Sequence, residues 1–248
     1  MKLRAERISK CYSRGGREFH ALQETDLVLE AGRLVTVGGR SGSGKTTLLN
    51  LLAGLAKPSS GSILAVFAQQ EEAAKEIFSA ALKEIPGQGG GYAADLCRMD
   101  DRMLSRFRNE YFGIIPQGLS AVAALTVLEN VMLPATVYAG SEPVKDRALE
   151  LLKQMGIADL LHAFPRELSG GELRRMAIAR AMIRDPQILF ADEPTSDLDD
   201  DNRDAVFSML RTIADEGKAV MVVTHEHGAV QYADVRYRMD AGVLETAT

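Results

Sequence analysis

Lys45 and Thr46 stand behind three closely spaced glycines in Gly39-Arg40-Ser41-Gly42-Ser43-Gly44-Lys45-Thr46-Thr47. Such glycines let successive backbone N–H groups curl around an anion, and a helix starting there adds the partial positive charge of its N-terminus. The spacing is that of a P-loop, in which Lys45 would reach the β- and γ-phosphates of a nucleotide and the Thr46 hydroxyl would hold Mg²⁺. The flanks agree with this. Apolar Leu34-Val35-Thr36-Val37 precedes the loop and helix-prone Leu48-Leu49-Asn50-Leu51-Leu52-Ala53 follows it. With glycine near 7% of residues, the core pattern arises by chance in about one chain of this length per hundred. Alone, it implies phosphate binding and nothing finer.

Two further apolar runs end in groups that could act on a phosphate. Ile188-Leu189-Phe190-Ala191 leads into Asp192-Glu193, and Ala219-Val220-Met221-Val222-Val223 leads into Thr224-His225. Ligands of open parallel α/β sheets bind outside the carboxyl ends of the strands, so these groups should converge on the phosphate loop. Asp192 would hold Mg²⁺ through water, and Glu193 would orient and polarise an attacking water. A lone histidine at a strand end is more often structural, and His225 gains its reading of γ-phosphate contact only from this company. Leu168-Ser169-Gly170-Gly171-Glu172 predicts a second helix N-terminus able to meet an anion.

With that last motif the chain resembles the ATP-binding-cassette ATPases, which Leu-Ser-Gly-Gly-Glu marks among P-loop proteins. The resemblance covers nearly the whole chain and implies ATP and Mg²⁺ as cofactors. It implies that Tyr12 stacks on adenine and that Gln117, at a hinge between core and helical lobes, reaches Mg²⁺ or the attacking water. It assigns Asp197 and Asp199 to a loop crossing a dimer interface, and His225 to the switch histidine. Two subunits would pack head to tail as an ATP-dependent homodimer or a pair of ATPase subunits. Ser169-Gly170-Gly171 of one would then cap the γ-phosphate held by Lys45 of the other. Hydrolysis would power a separate integral membrane permease, which would choose the substrate.

Glu172 and Leu128-Glu129-Asn130-Val131 are similar to bacterial ATPases of the lipoprotein-release, macrolide-export and antimicrobial-peptide-resistance type, which leans toward export or extraction. Three features depart from the family pattern. Leu173-Arg174 replaces a usual pair of glutamines, and Asp199-Asp200-Asp201 is unusually acidic. The stretch from Lys45 to Gln117 is also long, and residues 67–93 read as an insertion.

These groups need elements to position them. Strands are expected at 3–8, 22–29 and 34–37, with turns at Gly15-Gly16 and Ala31-Gly32. The helix after the phosphate loop should end near Gly54, and a strand should follow at 62–67. Apolar spacing predicts a helix over 70–85, a flexible link at 88–91, and a second helix with Leu96, Met99, Met103 and Phe107 on one face. A strand over 111–115 leads to Gln117. Residues 118–168 read as mostly helical, bounded by Pro134, Pro143, Gly156 and Pro165. The near-continuous apolar runs of the last third read as parallel strands buried on both faces. The expected fold is α/β, a P-loop NTPase core with a mainly parallel sheet, an antiparallel β lobe and an inserted helical lobe. It is read as one domain over 1–248, with 1–117 and 169–248 as core and β lobe and 118–168 as helical lobe.

Composition narrows the setting. The 248 residues suffice for a substantial core. A net charge of −5 argues against binding nucleic acid, which needs basic surface. Cys11 and Cys97 lack metal-ligand spacing and read as free thiols in a reducing compartment. No apolar run is long enough to span a bilayer, and the N-terminus lacks the apolar segment of a secretory signal. A cytoplasmic protein held at the inner face of the membrane by its permease is expected. A soluble cassette ATPase acting in DNA repair, chromosome organisation or translation is the alternative. Such proteins usually add coiled coils, zinc cysteines or a second cassette. A P-loop small-molecule kinase would leave residues 168–172 unexplained.

Overall fold

The computed structural model describes residues 1–68, 82–85, 91–118, 121–137, 144–196 and 198–247. Among them, one sheet has six strands. It is built from β3 (Leu34–Gly38), β7 (Phe112–Ile115), β8 (Ile188–Asp192), β9 (Ala219–Thr224), β10 (Val235–Asp240) and β11 (Val243–Thr246), in the order β11-β10-β3-β9-β8-β7. All neighbours pair in parallel except the edge pair β10–β11. The apolar runs of β8 and β9 are buried along their whole length. In β9, Ala219, Met221 and Val223 enter one core while Val220 and Val222 enter the other. A strand buried on both faces has no polar alternation to show, so its sequence reads as one apolar block.

A second, antiparallel sheet comprises β1 (Lys2–Arg14), β2 (Arg17–Leu29), β4 (Ser60–Ala68), β5 (Leu82–Ile85) and β6 (Gly91–Asp95), in the order β2-β1-β4-β6-β5. Gly15 and Gly16 both have positive φ, 59° and 76°, the backbone a tight two-residue hairpin requires. One core lies between the two sheets around α1 (Lys45–Leu52), with α2 (Asp101–Tyr111) adding Leu104 and Phe107. The other lies on the far face of the main sheet. It is covered by α3 (Val127–Thr136), α4 (Val144–Gln154), α5 (Gly170–Met182) and α6 (Asp200–Asp215). Mixed α/β architecture, a mainly parallel sheet and an antiparallel sheet are therefore as expected.

Some local readings need correction. Residues 82–85, expected as the end of a helix, form β5 and pair with β6, and Gly91 opens a strand rather than closing a link. The unpaired edge of β6 captures that segment, and such pairing overrides a local pattern. The rest of that expected helix and link, 70–81 and 88–90, lies outside the described residues. Leu96, Met99, Met103 and Phe107 do face one core, but a 3-10 turn at Leu96–Arg98 and the Asp100 N-cap break the element in two. Pro134, expected as a boundary, sits inside α3, in its last turn. There the ring costs a single backbone bond, and buried Val127, Val131 and Ala135 hold the helix. Pro143 lies outside the described residues.

Candidate functional site

Three neighbouring strands, β3, β9 and β8, end side by side with Gly38 opposite Thr224 and Asp192 opposite Val223. The register delivers the phosphate loop, His225 and the Asp192-Glu193 pair to one edge of the sheet. The loop, Glu193 and His225 open into a cavity of about 1010 Å³ lined by residues 40–47, by Gln117 and by Tyr12, whereas Asp192 does not line it and is tied to it through Thr46. Of the loop residues expected here, Ser41, Gly42, Ser43, Gly44, Lys45, Thr46 and Thr47 all line it. Gly39 lies behind, and its carbonyl accepts from Lys45 Nζ at 2.8 Å.

Gly44 shows why the loop needs glycine. Its φ is +111°, and a Cβ there would sit 2.2 Å from the Ala21 carbonyl oxygen. The loop is clamped from outside by the β10–β11 turn, where the Gly242 amide donates to the Ser43 carbonyl at 2.9 Å.

The charged groups form a linked chain. Lys45 Nζ also donates to the Arg40 carbonyl at 3.1 Å and lies 3.6 Å from Glu193 Oε1. Glu193 has φ 46°, unusual for a residue with a side chain. Its amide donates to the Val223 carbonyl at 2.8 Å, which fixes the turn. Its other carboxylate oxygen, Oε2, accepts from the His225 amide at 3.2 Å and lies 2.9 Å from His225 Nδ1. Thr46 Oγ1 donates to Asp192 Oδ1 at 3.2 Å. Burial pushes the Asp192 carboxyl up, the Thr46 bond draws it down, the Glu193 charge adds to the rise and Lys45 opposes it; the net direction is upward.

These residues fit the groups the sequence implies. Ser43 Oγ is buried without a partner, an orphaned donor beside the loop, as expected where a phosphate oxygen would supply the bond. Thr46 and Asp192 offer hard oxygen donors suited to Mg²⁺, and no cluster of three or more His, Cys, Asp or Glu among the described residues could hold a metal alone. Mg²⁺ commonly binds through one or two carboxylates together with substrate phosphates and water, which this donor set allows.

Tyr12 is 39% exposed at the cavity mouth, with its ring centroid 5.7 Å from that of Phe19. Phe19, with His20 and Ala21, was not singled out from sequence. A signal was present, because Gly15-Gly16 fixes the hairpin and counting outward sets Tyr12 opposite Phe19. Ala241 and Gly242, from the β10–β11 turn, also line the cavity and carry no such signal.

Ser169, Gly170 and Gly171 do not line the cavity. Ser169 N-caps α5, and Ser169 and Gly170 are exposed. A Cβ on Gly171 would lie 2.4 Å from Asn202 Oδ1, so this turn is packed against the start of α6. Asp199 caps α6, its Oδ1 accepting from the Asn202 amide at 2.8 Å. Asp197 lies outside the described residues. No helix among the described residues is long and apolar enough to cross a membrane.

Comparison with known proteins agrees with this geometry. A family model described as ABC transporter matches residues 22–196. The lipoprotein-releasing system ATP-binding protein LolD 1 of Chlorobium luteolum is 36% identical over 251 residues, covering 100% of this chain and 98% of its own. The macrolide export ATP-binding/permease protein MacB of Shewanella sp. is 35% identical over 242 residues, covering 96% of this chain and 33% of its own, so this chain spans about a third of that relative. Among solved structures, a dimeric post-hydrolysis state of an ATP-binding cassette bound to ADP and Pi superposes with a TM-score of 0.79. It is 28% identical and covers 98% of each chain.

Proposed function

The chain belongs to the ABC transporter family and is an ATPase, and we propose that it works as half of a head-to-tail dimer driving a separate integral membrane permease. One separation carries the dimer. Lys45, Gln117, Glu193 and His225 share a cavity, while the Ser169 turn lies outside it on exposed surface. A second copy would supply that turn to the cavity.

In this reading the amides of residues 42–46 and the Ser43 hydroxyl receive the phosphates. Lys45 gives up its carbonyl partners to reach them. Thr46 and Asp192 hold Mg²⁺, which when bound withdraws charge from the phosphate oxygens, and Gln117 reaches it from the cavity wall. Glu193 orients water and accepts its proton, and His225 holds that carboxylate in place while facing the γ-phosphate. Tyr12, beside Phe19, stacks on adenine.

The relatives named for lipoprotein release and macrolide export support transport in the direction of extraction or export. The protein would sit in the cytoplasm, on the inner face of the membrane through its permease, without contact to nucleic acid. The test is affinity capture of the Glu193→Gln chain from detergent-solubilised cells with ATP. Recovery of one integral membrane protein in fixed stoichiometry is expected. Recovery of only soluble or nucleic-acid-associated partners would favour a cassette ATPase working without a permease.

A further inference from the structure

The Ser169 turn carries a charge that the proposed chemistry does not use. The Ser169 hydroxyl donates to Glu172 Oε2 at 2.8 Å, and the Ser169 amide donates to the same oxygen at 2.7 Å. The Glu172 amide returns a bond to Ser169 Oγ at 3.3 Å. This is a closed capping box, and it commits the hydroxyl hydrogen of Ser169 to a carboxylate within its own chain. The Ser169 amide and hydroxyl hold the Glu172 carboxyl below the usual range. The Arg175 charge also lowers the Glu172 carboxyl, although its guanidinium donates to Asn202 Oδ1 at 3.3 Å rather than to that carboxylate.

A helix N-terminus attracts anions through its free amides and partial positive charge. A carboxylate in the first turn occupies that attraction and repels a second anion. Glutamine at position 172 could accept the same two bonds through its amide oxygen while carrying no charge.

We propose that Glu172 is a positioning residue that keeps the ATP-held dimer weak. In the free chain it occupies the Ser169 hydroxyl, and in the dimer it sets a negative charge beside the partner's triphosphate. The inference rests on the head-to-tail reading above. Its consequence is a closed dimer that forms only against this opposition and separates readily once the γ-phosphate is cleaved. Because a symmetric dimer contains two such contacts, the effect counts twice.

The experiment compares Glu193→Gln with the Glu193→Gln/Glu172→Gln double variant by sedimentation with ATP and Mg²⁺ over a range of NaCl. The double variant should associate about tenfold more tightly at low salt, from two like-charge repulsions removed. The gap should narrow toward about twofold near 1 M salt, where screening acts within about 3 Å. In the catalytically intact chain, Glu172→Gln should lower KM for ATP without raising kcat, a split that helix stability alone would not produce. Glu172→Asp, which keeps the charge, must not tighten the dimer. Equal association at low salt, or tightening by aspartate as by glutamine, overturns the proposal. A Glu193→Gln chain that never dimerises with ATP overturns the head-to-tail reading itself, a failure visible before Glu172 is touched.

Discussion

Glu193 answers two demands at once, and they separate by mutation. Its carboxylate lies between Lys45, 3.6 Å away, and His225 Nδ1, 2.9 Å away, so it helps neutralise the lysine. Glu193→Gln keeps the shape and removes the proposed base. ATP binding should persist while turnover falls by about 10²-fold or more. Lys45→Ala instead removes the cation proposed to meet the phosphates, and ATP binding itself should be lost. Nucleotide titration and steady-state hydrolysis on both variants measure the contrast; a Glu193→Gln rate near wild type would remove Glu193 from its role. The partners of these residues were legible because each sits at a strand end with a distinctive neighbour: lysine after glycines, acids after an apolar block. Ala241 and Gly242 were not legible, because an Ala-Gly turn looks the same whether or not it clamps a phosphate loop. Only the tertiary fold identifies them, through the Gly242 amide on the Ser43 carbonyl and the place of both residues on the cavity wall.

At the scale of elements, the cavity depends on where β3 starts as much as on where it ends. Asp234 Oδ2 accepts from the Leu34 amide at 2.8 Å and from Arg211 Nη1 at 2.6 Å, joining β3, β10 and α6. Burial alone would raise the Asp234 carboxyl, but the bonds from Arg211, the Leu34 amide and Arg33 outweigh it and hold it low. A carboxyl held low when folded stabilises fully above its unfolded value, about 3.9, and loses that contribution as pH falls through the folded value. Asp234→Asn should therefore destabilise at pH 7, by about 1 kcal/mol once solvent screening of this exposed group is allowed for. The deficit should shrink as pH is lowered below about 4, as wild type loses the same charge. Denaturant titrations at both pH values test this; a pH-independent deficit would assign the effect to packing instead. Sequence pattern exposed β3, β8 and β9 because buried parallel strands are apolar blocks. It misread the segment around 82–85 because four residues hold too little period to separate helix from strand, and their pairing partner lies across the sheet.

At the scale of the whole molecule, the cavity draws on one side of the antiparallel sheet only. Tyr12 of β1 and Phe19, His20 and Ala21 of β2 reach it, whereas β6 and β5 lie beyond β4 in the order β2-β1-β4-β6-β5. The extra segment read from the long stretch between Lys45 and Gln117 is thus attached at the edge remote from the phosphate loop. Its ends are also close together, because Ala68 and Gly91 are direct partners in the β4–β6 ladder. Replacing 69–90 by Asn-Gly would close β4 onto β6 as a two-residue hairpin and keep Ala93 and Ala94 in the core. The change removes β5 and the packing of Leu82, which should lower stability by about 1–3 kcal/mol. Basal ATPase activity should stay within a few-fold of wild type, and any functional loss should fall on coupling to the proposed permease. The measurement is ATP binding and hydrolysis in a variant that still melts cooperatively. Loss of nucleotide binding in such a folded variant would mean that the segment reaches the phosphates after all, and the separation of edge from cavity would have to be abandoned.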